Sequence, residues 1–133
     1  MRGPRAIEAR MTPRLLFTVP GPPQAKQRPR KGKAGHFFTP DATRHYEGAL
    51  RLYALAAVRS SRWRLATTAR LAVWLHAFWA NARRRDLDNA AKCLDGANGI
   101  IWHDDSQIDE LHVYRRVDVA HPRLEVIVEV LGG

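Results

Sequence analysis

Residues 71–79 carry the pattern that most constrains the fold, because apolar side chains occupy both alternating faces of this segment. One face carries Leu71, Val73, Leu75, Ala77 and Trp79, and the other carries Trp74, His76 and Phe78. A period of two is typical of a β-strand, and a strand that is apolar on both faces is typically covered on both. We therefore predict a central strand of a sheet here.

Other segments show patterns of their own. We predict a first strand over residues 15–19 and a helix over residues 40–59, which begins at a Thr-Pro start signal. A second helix is predicted over residues 87–98, where Asn98-Gly99 is typical of a helix end. Two strands over residues 108–117 and 124–131 are joined by a short turn, which favours an antiparallel hairpin.

The resulting order of elements is β-α-β-α-β-β. This order predicts an α/β (α+β) fold in one domain, with a mixed β-sheet and helices packed on it. The 133 residues suit a single domain. We place a flexible basic leader at residues 1–13 and the domain at residues 14–133, with a polar loop at residues 24–38.

Charge is distributed unevenly along the chain. Residues 1–85 hold eighteen Lys and Arg against three acids, whereas residues 86–133 hold four against ten. The basic part is suited to a polyanion, and the acidic part gathers carboxylates where a cation could neutralise them. A basic surface of no particular purpose stays open as an alternative.

Cysteine usage and hydropathy exclude several classes of protein. The single cysteine, Cys93, rules out an internal disulfide framework and a cysteine-rich zinc site. The basic N-terminal stretch has no apolar run behind it, so we expect no signal peptide. The longest apolar run, residues 71–80, is too short to span a bilayer. We therefore expect a cytoplasmic protein that does not bind membranes.

Carboxylates are concentrated in one part of the sequence. Seven of the thirteen acids fall between Asp86 and Glu110, directly after the triplet Arg83-Arg84-Arg85. Mg²⁺ takes hard oxygen ligands and is usually held by one or two carboxylates together with substrate phosphate oxygens. These acids beside a basic surface therefore suggest a metal site, whereas zinc would need His or Cys ligands that this stretch lacks.

Each feature of this stretch also has an ordinary structural explanation. Asp86 and Asp88 suit the start of a helix as capping and dipole residues. Asp88 and Lys92 have the spacing of a surface ion pair on a helix, and Asp104-Asp105 before Ser106 suits a turn. From the residues alone, the metal site is therefore a hypothesis and the reaction stays open.

The motifs in this stretch resemble those of the RusA family of Holliday-junction resolvases. They are Asp-Leu-Asp-Asn at 86–89, Lys92, Asn-Gly at 98–99 and Asp-Asp-Ser-Gln-Ile at 104–108. Earlier segments resemble the same family, namely Pro-Gly-Pro-Pro at 20–23, Lys-Gln-Arg-Pro-Arg at 26–30 and Phe-Thr-Pro at 38–40. The similarity covers roughly residues 15–130 in the right order.

The resemblance implies a homodimeric endodeoxyribonuclease, often encoded by a phage, a prophage or a bacterium. Such enzymes depend on Mg²⁺, with Mn²⁺ as a substitute, and make paired nicks across branched DNA, the four-way junction. By position, it assigns the metal-binding aspartates to Asp86, Asp88 and Asp105 and the catalytic lysine to Lys92.

Asp95 departs from the family pattern. The family commonly has one more residue between the lysine and the following aspartate, and the shorter interval turns Asp95 by about 100° on an ideal α-helix. Asp95 is therefore left out of the predicted core set, and Asp104 is a second-rank candidate.

Basic residues are predicted to contact the DNA backbone, where Arg and Lys give affinity without sequence preference. The predicted residues are Lys26, Arg28, Arg30, Lys31 and Lys33 in the loop, with Arg83, Arg84 and Arg85 beside the acids. A solvated loop without a DNA role is the alternative for the first group. The four tryptophans are expected in the core or in a dimer interface.

Three other functions remain open at this point. The chain could be another structure-specific, metal-dependent DNA nuclease or a catalytically inactive DNA-binding module. It could also be a metal phosphotransferase acting on small nucleotides. The acid cluster argues against the inactive module, because carboxylates weaken DNA binding unless a cation is present. The strongly basic residues 1–85 argue against a small-nucleotide substrate.

Overall fold

A computed structural model describes residues 13–24, 30–32, 35, 37, 38 and 41–132. The strands are β1 (Arg14–Pro20), β2 (Arg30–Lys31), β3 (Phe37–Phe38), β4 (Leu71–Trp79), β5 (Ile108–Val117) and β6 (Arg123–Val130). The helices are α1 (Asp41–Arg59) and α2 (Leu87–Ala91), and two 3-10 segments cover Lys92–Ala97 and Asp105–Gln107.

The main sheet has four strands in the order β1-β6-β4-β5. β4 pairs with β5 in parallel and with β6 antiparallel, and β1 pairs antiparallel with β6. The prediction of a mixed sheet with residues 71–79 as an inner strand is confirmed. The element order also agrees with the prediction, apart from the short pair β2 and β3 inside the region predicted as a polar loop.

The predicted hairpin of the last two strands is wrong, because β5 and β6 lie on opposite sides of β4. The turn between them crosses the end of β4, where the amide of Asp118 donates to the Trp79 carbonyl at 2.8 Å. Asp118 also accepts from Arg123 at 2.8 Å, which fixes the start of β6. A short turn predicts that the two strands it joins are neighbours in the sheet. Here the more apolar strand β6 lies inside the sheet, between β1 and β4, and β5 lies at the edge.

The core lies between one face of the sheet and α1 with the 3-10 segment 92–97. Its largest fully buried side chains include Leu15, Leu50, Leu71, Leu75, Ile101, Trp102 and Leu124. The predicted first helix is confirmed from Asp41 to Arg59, and Pro40 lies outside the described residues. The helices cover one face of the sheet, and the side chains of Trp74, His76 and Phe78 on the other face are partly exposed.

The second helix differs from its prediction in the middle. It is α-helical over only Leu87–Ala91 and continues as a 3-10 helix to Ala97. Its end is where Asn98-Gly99 predicted it, and Gly99 has a φ of 82°, a conformation that favours glycine. Close packing accompanies the tighter winding, since a Cβ on Gly96 would lie 2.8 Å from the carbonyl oxygen of Glu47 in α1.

The predicted leader falls almost entirely outside the described residues. Pro13 is described, and its carbonyl accepts a hydrogen bond from the amide of Val130 at 3.2 Å. The division of the chain at residue 13 therefore stays a prediction. Among the described residues, no helix combines the length and apolarity needed to cross a membrane.

Candidate active site

A cavity of about 570 Å³ lies between β5 and the crossover that returns from the end of β4. Its polar lining residues are Asp88, Lys92, Asp95 and Asp105. Its apolar lining residues are Leu87, Ala91, Leu94, Ile108, Leu111 and Val113. The fold therefore brings acids from two separate segments, residues 88–95 and residue 105, to one place.

Asp95 and Asp105 are in direct contact in this cavity. The pKa of Asp105 is raised above its ordinary value, first because its side chain shares a hydrogen bond with Asp95. Partial burial and the negative charges of Asp95 and Asp104 raise it further. Two carboxyl groups in such contact share a proton or a cation more readily than they both ionise.

The 3-10 winding explains how Asp95 reaches the cavity. A 3-10 helix has three residues per turn, so side chains three positions apart are aligned. Lys92 and Asp95 have this spacing within the segment Lys92–Ala97, and both line the cavity. Asp95 was left out of the predicted core set because of its shorter interval from Lys92, and the structure places it on the cavity wall beside Lys92.

Asp86 and Asp88 have different surroundings. Asp86 is the N-cap of α2 and accepts from the Asp88 amide at 2.9 Å and from Asn89 Nδ2 at 3.1 Å. Asp88 follows in the first helical turn and lines the cavity. The capping hydrogen bonds are therefore formed by Asp86, whereas Asp88 faces the cavity. The metal-binding role predicted for both aspartates stays a prediction.

The Lys92 side chain is exposed and lies beside these acids. Its Nζ donates to Asn89 Oδ1 at 3.2 Å. The surface ion pair between Asp88 and Lys92 is not formed, although both residues belong to the described part of the chain. Lys92 is therefore held by a neutral amide, which leaves its charge available to an anion entering the cavity.

Gln107 fixes the turn that carries Asp105. Its side chain is 8% exposed and donates to the carbonyls of Thr67 and Ala69 at 2.8 and 2.9 Å. It also accepts from the Asp104 amide at 2.8 Å, while the Asp104 carboxylate accepts from the Ser106 amide at 3.0 Å. This hydrogen bonding to Ser106 lowers the pKa of Asp104.

The arginine triplet divides into two kinds of residue. Arg83 and Arg84 are exposed. Arg85 lies 4.7 Å over the ring of Trp79 and donates to the carbonyl of Arg83 at 2.9 Å and to Asn81 Oδ1 at 3.2 Å. Arg85 therefore stabilises the loop between β4 and α2, and Arg83 and Arg84 face solvent.

Of the basic residues predicted in the first loop, Lys31 is exposed, and Arg30 lies in β2. Lys26, Arg28 and Lys33 lie outside the described residues. Their predicted contact with DNA stays a prediction.

A comparison with family models matches residues 20–129 to the family described as endodeoxyribonuclease RusA. The chain belongs to the RusA endodeoxyribonuclease family. The match covers most of the chain and both segments that form the cavity. A comparison with curated proteins finds no match.

The donor set at this candidate site suits a hard divalent cation. Asp88, Asp95 and Asp105 offer oxygen ligands alone, and their convergence is unfavourable unless a proton or a cation is present. Among the described residues, no three acidic, histidine or cysteine side chains are arranged closely enough to hold a metal ion. A cation would therefore draw these carboxylates together.

Sequence reasoning did not single out two residues of this candidate site. Asp95 was set aside on helical geometry, and Gln107 was noted only as part of a motif. A signal for Gln107 was available, because a glutamine three residues after Asp104 completes a capping box at the start of a helical turn. The spacing of residues between Lys92 and Ala97 did not indicate that this segment winds as a 3-10 helix.

Proposed function

We propose that this RusA-family chain is a Mg²⁺-dependent endodeoxyribonuclease that resolves Holliday junctions by paired nicks. The observation that carries the proposal is the cavity in which Asp88, Asp95, Asp105 and Lys92 converge. The family match supports an endodeoxyribonuclease, and the acidic groups beside exposed arginines support a phosphodiester substrate.

Asp86, Asp88 and Asp105 would hold the metal together with Asp95, and Asp86 would also keep Asp88 in place by capping α2. A bound Mg²⁺ supplies charge stabilisation at the scissile phosphate and lowers the pKa of a water molecule. Mn²⁺ is expected to substitute, since it also accepts carboxylate oxygens. In the absence of a cation, the same carboxylates repel the DNA backbone.

Lys92 would contact the scissile phosphate. Its position on the cavity wall and its bond to the neutral Asn89 amide leave its positive charge uncompensated by the neighbouring acids. A preorganised donor at a place where negative charge develops lowers the barrier of phosphoryl transfer. Lys92 is thus a catalytic residue in this proposal.

Arg83 and Arg84 would hold the DNA backbone close to the cut, and Arg85 would shape the loop that presents them. Lys31 and the other basic residues of the first loop, Lys26, Arg28, Arg30 and Lys33, would extend this contact. Backbone contacts of this kind position DNA without reading its sequence.

A homodimer is proposed because paired nicks need two active sites, and because one sheet face offers a surface for a second copy. On this face Trp74 stacks on His112 with ring centroids 5.1 Å apart, and His76 stacks on Tyr114 at 4.8 Å. Leu16 on the same sheet is 59% exposed. A two-fold axis would pair this mixed aromatic and charged face with itself.

The experiment that tests the function is nicking of synthetic DNA with and without Mg²⁺. We expect Mg²⁺-dependent, symmetrical nicks in four-way junctions and much slower cutting of duplex, flap and single-stranded DNA. Equal cutting of flaps or single strands would instead support another structure-specific nuclease. Tight junction binding with no cutting under any divalent metal would support a catalytically inactive binding module.

A further inference from the structure

One wall of the cavity is apolar and has no role in binding a metal or a phosphate. It is formed by Leu87, Ala91, Leu94, Ile108, Leu111 and Val113. Leu111 is 46% exposed although it lies beside charged groups. Covering such a side chain is favourable by about 25 cal/mol for each Å² of apolar surface removed from water. The wall is therefore suited to an apolar occupant.

The wall is open because of the fold around it. β5 is the edge strand of the described sheet, and its residues Leu111 and Val113 pair with Val73 and Leu75 of β4. The β4 residues are covered by the core, whereas the helical segment 87–97 leaves Leu111 of β5 partly open to solvent. The exposed apolar surface therefore lies on an edge strand, beside the acidic groups of the cavity.

The occupant must fit beside a phosphodiester at Asp88, Lys92 and Asp105. A protein segment that filled the cavity would exclude that phosphate. A nucleotide, in contrast, brings its base on the same molecule as the phosphate, and the faces of a base are flat and poorly hydrated. The volume of about 570 Å³ lies within the range of about 300–1,000 Å³ that is common for small-ligand pockets.

We propose that this wall holds an unstacked nucleobase from a nucleotide that flanks the scissile phosphate. This subsite rests on the proposed nuclease function and adds a contact that selects substrates with a base free to leave its stack. Unstacking costs least where pairing is already interrupted, as at a branch point. Because the wall contacts the faces of the base, the subsite tolerates different bases at this position.

The test is a double-mutant cycle between the protein wall and the base. Leu111→Thr removes apolar surface and introduces a β-branched side chain, which is suited to a strand. Two four-way junctions carry an abasic nucleotide, one on the 5′ side and one on the 3′ side of the scissile phosphate. Val117→Thr is the matched control, since Val117 lies on the same strand, is 50% exposed and does not line the cavity.

We expect the single-turnover nicking rate of the wild type to fall about tenfold on one of the two abasic junctions, the size expected for one lost base contact. Leu111→Thr should lose a similar factor on the intact junction and little more on that abasic junction, because both changes remove the same contact. Val117→Thr should match the wild type on every substrate.

A fluorescent base gives a second readout that does not depend on cutting. With 2-aminopurine at the same nucleotide and Ca²⁺ in place of Mg²⁺, binding of the wild type should raise the fluorescence severalfold, and Leu111→Thr should lose most of the increase. If Leu111→Thr melts well below the wild type, Leu111→Ala replaces it in both measurements.

The subsite would be overturned if the rate losses from Leu111→Thr and from the abasic nucleotide multiplied as independent effects. It would also be overturned if neither abasic junction were cut more slowly than the intact one. Either result would leave the proposed junction cutting unaffected. If the wild type cuts no junction at all, the proposed nuclease function fails, and the subsite fails with it.

Discussion

The carboxyl groups of Asp95 and Asp105 share a hydrogen bond in the cavity, where the 3-10 segment Lys92–Ala97 meets the 3-10 segment Asp105–Gln107. This contact requires a proton on one of the two groups, which is why the pKa of Asp105 is raised. A divalent cation can take the place of that proton. Stability, pH and metal binding are therefore linked at this one pair.

The first prediction concerns Asp105→Asn in metal-free protein. A raised pKa in the folded state contributes stability at low pH, and this contribution is lost as pH rises through the folded pKa. At about pH 7 the ionised pair is destabilising, so Asp105→Asn should have a higher Tm than the wild type. The difference should disappear as the pH approaches about 4, near the ordinary pKa of an aspartate.

Thermal melts in EDTA between these two pH values measure this effect, and Asp104→Asn is the matched control. The pKa of Asp104 is lowered by its hydrogen bonds with Ser106, so its charge stabilises the fold at neutral pH and stops doing so as pH falls. Asp104→Asn should therefore lower the Tm at neutral pH. A shift of the same sign in both variants would contradict the assigned contact.

The second prediction concerns Asp88→Asn. We expect junction nicking to be abolished while junction binding stays as tight or becomes tighter, because the change removes a metal ligand and a charge that repels phosphate. Nicking assays and gel-shift binding in the absence of Mg²⁺ separate the two effects. Asp109→Asn is a suitable control, since Asp109 pairs with Arg70 and does not line the cavity. Weaker binding by a folded Asp88→Asn protein would contradict its role.

The third prediction concerns Lys92→Ala. Its hydrogen bond to Asn89 is on the surface, so the Tm should change by no more than about 2 °C. The single-turnover nicking rate should fall by about two to three orders of magnitude, as when one preorganised donor to developing charge is removed. Lys92→Arg should also be slow, because a planar guanidinium places its donors differently. Nicking within threefold of the wild type would remove Lys92 from the mechanism.

The fourth prediction concerns Gln107→Met. This change removes three hydrogen bonds and leaves the carbonyls of Thr67 and Ala69 without this donor, so we expect a loss of about 2–4 kcal/mol in unfolding free energy. Because the turn carries Asp105, the Mg²⁺ concentration for half-maximal nicking should rise about tenfold. Denaturant unfolding and a Mg²⁺ titration below the Tm measure the two effects. A stability loss with an unchanged Mg²⁺ requirement would show a purely structural role.

The fifth prediction compares Arg84→Ala with Arg85→Ala. Arg84 is exposed, so its loss should leave the Tm unchanged and reduce the slope of log affinity against log salt by about 0.9. Arg85 contacts Trp79 and its own loop, so its loss should lower the Tm. Melting curves and salt titrations of duplex binding measure both. An unchanged slope for Arg84→Ala would place this arginine away from the DNA backbone.

Much of the fold was predictable because local patterns determine local elements. The alternation in residues 71–79 and the Asn98-Gly99 helix end both led to correct elements. The partner of β5 was not predictable, because pairing depends on which strand buries more apolar surface in the whole sheet. A short turn says little about this competition.

Residues of the candidate site could be predicted where a sequence motif identifies them. A residue whose position depends on the type of helix could not be predicted in this way. Four residues were identified from their motif: Asp88, Lys92 and Asp105 line the cavity, and Asp86 caps α2 beside it. Asp95 was set aside because its interval from Lys92 is one residue shorter than the family pattern, and the effect of that difference was judged on an ideal α-helix. The 3-10 segment packs closely against α1, where a Cβ on Gly96 would lie 2.8 Å from the Glu47 carbonyl oxygen.

The 3-10 winding from Lys92 to Ala97 has a consequence for how such sites vary between relatives. The loss of one residue from a helix normally turns every later side chain away from its target. A change from 3.6 to three residues per turn brings a side chain at the shorter spacing back into line with the lysine. Chains that differ in length across this segment can therefore hold the same carboxylate in the same place. Equivalent aspartates are better identified by direction from the helix axis than by their count from the lysine.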